Sequence, residues 1–329
     1  MGTPRNVLEF RKYRMGFRID EQVCDLIDGL SFSVREGSVL GVVGESGCGK
    51  SMTALSVLRL LPTAAVVHGG EILFNGENLL AKTEKEMEKI RGRDIAMVFQ
   101  EPMTSLNPVH TVGQQIGEVL RIHRPAMGAD ERRQTTTALL RDVGIANPEQ
   151  RCDQFPHQLS GGMRQRVMIA IAVACRPQIL LADEPTTALD GTIQAQVLAL
   201  MQELKQQTQG SIMLITHNLG VVAETCSEVV IMYAGRIVES GTIEDIFDRP
   251  THPYTRGLLA SLPSLVSDSG ELYSIPGSVP TVENLEPGCR FAPRCSQRRD
   301  ICTREVPVLA DVAAGHAVAC WVTGAGATP

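Results

Sequence analysis

Eight consecutive residues, Gly44-Glu45-Ser46-Gly47-Cys48-Gly49-Lys50-Ser51, combine three glycines with a closing lysine and serine. Glycines allow a loop to curl until several backbone N–H groups converge on phosphate oxygens, and a helix beginning at the loop's end adds positive potential. The spacing is the complete P-loop pattern. It lies in the expected context, after the apolar run Val39–Val43 and before the helix-like Met52–Leu61. Lys50 is expected to reach the terminal phosphates. The Ser51 hydroxyl is expected to ligate Mg²⁺, a hard cation that takes oxygen ligands. Two carboxylates, Asp183 and Glu184, close the apolar run Ile179–Ala182. Asp183 is suited to hold the metal, and Glu184 to polarise an attacking water as general base.

Two further groups stand out. Ser160-Gly161-Gly162 precedes the helix-like Met163–Ala174, so a serine cap and exposed N–H groups form a second candidate anion site. Cys289, Cys295, Cys302 and Cys320 fall in the last 41 residues, spaced C-x5-C-x6-C-x17-C. These gaps exceed those usual between paired zinc ligands. Four thiolates equally suit an iron–sulfur cluster, and free thiols are the third reading.

These groups must be held by an α/β scaffold. Short apolar runs at Ser38–Val43, Asp94–Phe99, Gln178–Asp183, Ser211–Thr216 and Glu228–Tyr233 alternate with helix-like segments, as in an α/β core. Between Thr104 and Gly161 only helical spacing is seen, with helices expected at Val112–Ile122 and Glu131–Val143, so a helical insert spans about residues 101–165. Val229–Tyr233, Ala234-Gly235 and Arg236–Glu239 read as a hairpin. A boundary is expected near Arg249-Pro250, dividing residues 1–250 from a proline-interrupted, loop-rich segment 251–329 with one helix at Tyr254–Leu262.

Composition narrows the class. The chain has 329 residues, 43% hydrophobic and 21% charged, with net charge −6. That composition excludes general disorder, and the charge supplies no global positive field for nucleic acid or anionic lipid. No apolar run reaches the roughly 18 residues of a membrane-spanning helix. The N-terminus shows no secretory h-region, so a cytoplasmic location is expected.

With the P-loop, the acidic strand end and Leu159-Ser160-Gly161-Gly162-Met163 taken together, the sequence resembles the ABC ATPases over about residues 5–250. The resemblance implies a P-loop NTPase core with an inserted helical subdomain and a small cysteine-containing C-terminal domain. It implies binding and hydrolysis of ATP with Mg²⁺. Residues 44–51 with Met52 would hold nucleotide, and Ser160, Gly161 and Gly162 would face the γ-phosphate on a partner subunit. Gln100 resembles the Q-loop residue that senses Mg²⁺ and water, Ala188-Leu189-Asp190 the D-loop, and His217 the switch histidine. Phe17 holds the position of the adenine-stacking aromatic, with Tyr13 as rival. Gly191 replaces a residue that is commonly larger, and Asn218 a common Asp.

Glu101-Pro-Met-Thr-Ser-Leu-Asn-Pro108 and His252-Pro-Tyr-Thr255 are similar to segments of peptide, glutathione and nickel importer subunits, dipeptide and oligopeptide subunits foremost. That branch implies a second, sister ATPase, two membrane permeases docking near Glu101–Pro108, and a solute-binding protein across the membrane. It implies peripheral attachment at the cytoplasmic face of the inner membrane. Some of its subunits carry a [4Fe–4S] tail whose spacing Cys289, Cys295, Cys302 and Cys320 match, with Ser296 in place of a frequent Pro. Nickel, opine or glutathione import, and a soluble non-transport ATPase, are the competing functions.

Overall fold

The computed structural model describes residues 5–19, 22–187, 191–262 and 274–323. It divides into two compact units: residues 1–80 with 214–329, and residues 81–213.

The first unit contains a four-stranded antiparallel sheet in the order Gln22–Arg35, Asn6–Ile19, Ala65–Phe74, Glu77–Asn78. Asn6–Ile19 carries an inward set that changes phase: Leu8, Phe10, Tyr13 and Met15 are all buried. An unbroken strand exposes every second residue, so Phe10 and Tyr13 share a face only because the register shifts between them. Lys12 absorbs the shift with φ 48°, and its N–H is satisfied by Ser31 Oγ at 2.8 Å.

The second sheet region of this unit is built on Val39–Val43, buried along its whole length. It pairs in parallel with Glu228–Tyr233, Val43 lying opposite Ile231. Such strands read as continuous apolar runs because both faces are covered. Glu228–Tyr233 returns as Arg236–Thr242 through Ala234 and Gly235, both at positive φ, the backbone a two-residue hairpin requires.

The C-terminal segment departs from its loop-rich expectation. Its helix, Pro253–Ala260, lies close to the expected span. In addition, His316–Val318 pairs with Arg236–Thr242, and Ala310–Ala313 pairs with His316–Val318. The segment thus extends a sheet. Both strands are too short for a periodicity signal, and pairing with the existing edge defines them.

The second unit holds the parallel pair Ile95–Val98 and Ile179–Asp183, every residue buried. Helices occupy most of the chain between them, including Val112–His123 and Ala129–Asp142. Thr111 and Gln114 cap the first reciprocally. Gly161–Val173 begins at Ser160, whose hydroxyl accepts from Met163 N–H. Ser211–Thr216, in which the division falls, is fully buried. Among the described residues no helix is long and apolar enough to cross a membrane.

Candidate nucleotide site

In the first unit the loop after Val39–Val43 is defined by close approach. A Cβ on Gly44 would lie 2.2 Å from the Met232 carbonyl oxygen, so only glycine lets the loop leave the strand there. Gly49 adopts φ 98° immediately before the helix Lys50–Val57, a conformation that turns the backbone into the helix start. Ser46 and Gly47 form the exposed crest, whereas Cys48 and Lys50 are buried beneath it. Burial raises the Cys48 thiol pKa against the pull of Lys50. Lys50 Nζ donates to the Gly44 carbonyl at 2.7 Å and to the Glu45 carbonyl at 2.9 Å. The ammonium therefore spans the loop that would receive phosphate.

Glu45 is tethered on three sides. Its carbonyl accepts from Lys50, and its N–H donates to Tyr254 Oη at 3.0 Å. Its carboxylate accepts from Arg294 Nη1 at 2.7 Å. Tyr254 is wholly buried, edge-on to Tyr233 at 4.8 Å. Burial drives its phenol pKa far up, so the hydroxyl is neutral. Nothing local in the sequence gives Arg294 a role in the site, and only the segment His252–Thr255 drew attention to Tyr254.

The two aromatic candidates differ in setting. Tyr13 is wholly buried and donates to Ser56 Oγ at 2.9 Å. Phe17 is half-buried, opposite Cys24 and Ala65. His217 is exposed just beyond Ser211–Thr216. Asn218 Oδ1 accepts from Gly220 and Val221 N–H and caps the helix Leu219–Thr225, a task an Asp would perform equally well.

In the second unit Asp183 ends its strand buried, and Glu184 follows at φ 44°. A non-glycine residue there costs on the order of 1–3 kcal/mol and persists only where its surroundings hold it. The Glu184 carboxylate accepts from Gln100 Nε2 at 3.0 Å and Thr187 Oγ1 at 2.8 Å. Its carbonyl accepts from Thr187 N–H at 3.1 Å. The Q-loop candidate and the general-base candidate are thus in direct contact. Buried Gln165, on the helix begun by Ser160, donates to the Pro185 carbonyl at 2.6 Å. That link between the Ser160–Gly162 helix and the Glu184 loop has no sequence signature. Ser160 and Gly161 are exposed. Ala188, Leu189 and Asp190 lie outside the described residues.

The loop in the first unit suits a nucleotide's phosphates, its glycines followed by the buried Lys50 ammonium and the Ser51 hydroxyl. In the second unit Asp183, Glu184 and the Gln100 amide are oxygen donors of the kind a hard cation such as Mg²⁺ takes.

The metal expectation for the C-terminal cysteines is corrected. Among the described residues, which include Cys289, Cys295, Cys302 and Cys320, no group of His, Cys, Asp or Glu side chains is placed to hold a metal ion. All nine cysteines are free. Backbone bonding organises the segment instead: Cys289 N–H donates to the Cys302 carbonyl at 2.8 Å, and Cys320 Sγ accepts from Val322 N–H at 3.4 Å. Burial, with the neighbouring cysteines adding to it, pushes the Cys289 thiol up to about 11. The four cysteines are therefore assigned no iron–sulfur cluster.

Solved ATP-binding cassettes share this fold. One, a dimer in a post-hydrolysis state bound to ADP and Pi, is 25% identical with a TM-score of 0.65, matching 72% of this chain and 98% of its own. The ABC transporter family matches residues 27–187, and the oligopeptide/dipeptide transporter C-terminal region matches residues 238–302. A peptide ABC transporter ATP-binding protein of Sinorhizobium fredii is 52% identical, over 96% of this chain and 94% of the relative. The oligopeptide transport ATP-binding protein AppD of Bacillus subtilis is 48% identical, over 96% of each chain. The dipeptide transport ATP-binding protein DppD of Escherichia coli is 47% identical, over 89% of this chain and 90% of its own. The chain belongs to the ABC transporter ATP-binding proteins, in the branch that carries the oligopeptide/dipeptide transporter C-terminal region.

Proposed function

We propose that this chain is the ATP-binding and ATP-hydrolysing subunit that energises import of short peptides. The observation that carries the hydrolytic reading is the Glu184 carboxylate, held in a strained turn and oriented by Gln100 and Thr187. In that reading the loop from Gly44 to Ser51, with Met52, binds the phosphates, Lys50 neutralises them, and Phe17 stacks on the base. Ser51, Gln100 and Asp183 hold Mg²⁺, which supplies charge neutralisation on the phosphates. Glu184 takes a proton from the attacking water, and His217 steadies the terminal phosphate. Positioning and charge carry most of the rate.

Exposed Ser160 and Gly161, with Gly162, meet the nucleotide of a second ATPase, a sister chain, so two nucleotides are enclosed between subunits. Residues 1–250 form the cassette and 251–329 the C-terminal domain. Two permeases dock near Glu101–Pro108 at the cytoplasmic face of the membrane, and a solute-binding protein delivers cargo from the other side. The names of the relatives support peptides as that cargo. Uptake of labelled di- and oligopeptides into proteoliposomes holding the full complex tests this. ATP-dependent peptide uptake, lost in Lys50→Ala, is the expected result; uptake of nickel or glutathione with no peptide uptake would overturn it.

A further inference from the structure

Arg294 and Glu45 are 249 positions apart, yet their side chains are paired at 2.7 Å. The pair is not a solvated surface contact: the Arg294 side chain is 7% exposed and that of Glu45 27%. Arg294 is locked from behind, its Nε donating to the Pro276 carbonyl at 2.8 Å and Nη2 to the Ile275 carbonyl at 3.2 Å. The guanidinium also lies over the Tyr233 ring, 5.7 Å from its centroid. A rigid cation is therefore presented to the second residue of the phosphate loop.

Glu45 is an awkward residue for an anion cradle, since a carboxylate in that loop repels incoming phosphate. We propose that Arg294 is a positioning residue of the nucleotide site: it neutralises Glu45 and holds its side chain while Tyr254 holds its N–H, so that the C-terminal segment sets the affinity of the loop. The inference rests on the nucleotide reading of residues 44–51. It predicts that nucleotide affinity is a property of the cassette and its C-terminal segment together.

The test is a titration of the full chain with mant-ATP and Mg²⁺. Arg294→Met keeps the length and apolar contact of the side chain but frees the Glu45 charge. It is expected to raise Kd roughly tenfold, the scale of one uncompensated charge near a site, and more at low salt. Adding Glu45→Gln to Arg294→Met is expected to restore affinity to within about twofold of Glu45→Gln alone. A purely structural loss would not be rescued by that second change. Unaltered affinity in Arg294→Met, or a double variant as weak as Arg294→Met alone, overturns the proposal. Should Arg294→Met fail to fold, Arg294→Gln is titrated instead, alone and with Glu45→Gln: a roughly tenfold loss alone, restored to within about twofold of Glu45→Gln in the double variant, is expected. Unaltered affinity in folded Arg294→Gln, or no restoration in the double variant, overturns it. Binding of mant-ATP by the wild-type chain, abolished in Lys50→Ala, tests the underlying nucleotide reading separately.

Discussion

His252 couples the acid stability of the first unit to the contact at Glu45. Its imidazole is 1% exposed, and Nδ1 accepts the Tyr254 N–H at 3.1 Å, capping the helix Pro253–Ala260. Burial pushes its pKa down to about 3 from an ordinary 6.5. The folded-state value lies below the unfolded one, so as pH falls the unfolded chain takes up the proton first. Stability is complete above the unfolded pKa and declines as pH drops from 6.5 toward about 3. The slope is about 1.4 kcal/mol per pH unit, so two units cost on the order of 3 kcal/mol.

Asparagine at this position retains a cap acceptor and does not titrate. His252→Asn is expected to lose about 1–2 kcal/mol at neutral pH through lost packing against Phe291. Its stability between pH 6.5 and 4.5 should then fall less steeply than wild type, by about 1.4 kcal/mol per unit. Urea denaturation at a series of pH values, followed by fluorescence of the single Trp321, measures both slopes. Equal slopes in the two proteins would refute the reasoning.

Two other changes have defined outcomes. Glu239 is fully buried, accepting from Thr251 N–H, His252 N–H and His316 Nε2; Glu239→Ala strands all three and should cost about 3–5 kcal/mol in urea denaturation. Gly44→Ala places a methyl group against the Met232 carbonyl oxygen; it should destabilise by about 1–3 kcal/mol and abolish measurable mant-ATP binding in a direct titration.

Local chemistry was legible in the sequence where neighbours along the chain do the work. The glycines, strand and helix that mark the loop Gly44–Ser51 all lie within twenty residues. The buried parallel strands announced themselves as unbroken apolar runs. The long strand Asn6–Ile19 did not, because the irregularity at Lys12 breaks its alternation. The strands at Ala310–Ala313 and His316–Val318 exist only through pairing with a distant edge. Arg294 was invisible for the same reason, and Tyr254, though its segment was noticed, had no visible role in the site: their contacts with Glu45 span 249 and 209 positions. The cysteines misled in the opposite direction. Their clustering suggested ligands, but spacing alone does not say whether sulfurs converge, and a backbone bond from Cys289 N–H to the Cys302 carbonyl joins that segment instead.

Single-turnover hydrolysis of ATP by Glu184→Gln, measured beside the wild-type protein in the assembled complex, tests the central claim most directly. Glutamine preserves the shape that Gln100 and Thr187 hold but cannot accept the proton of the attacking water. Hydrolysis should fall by about 10²–10⁴-fold while mant-ATP affinity stays within about threefold and the ATPase dimer persists with ATP bound. Hydrolysis by Glu184→Gln at the wild-type rate would contradict the account.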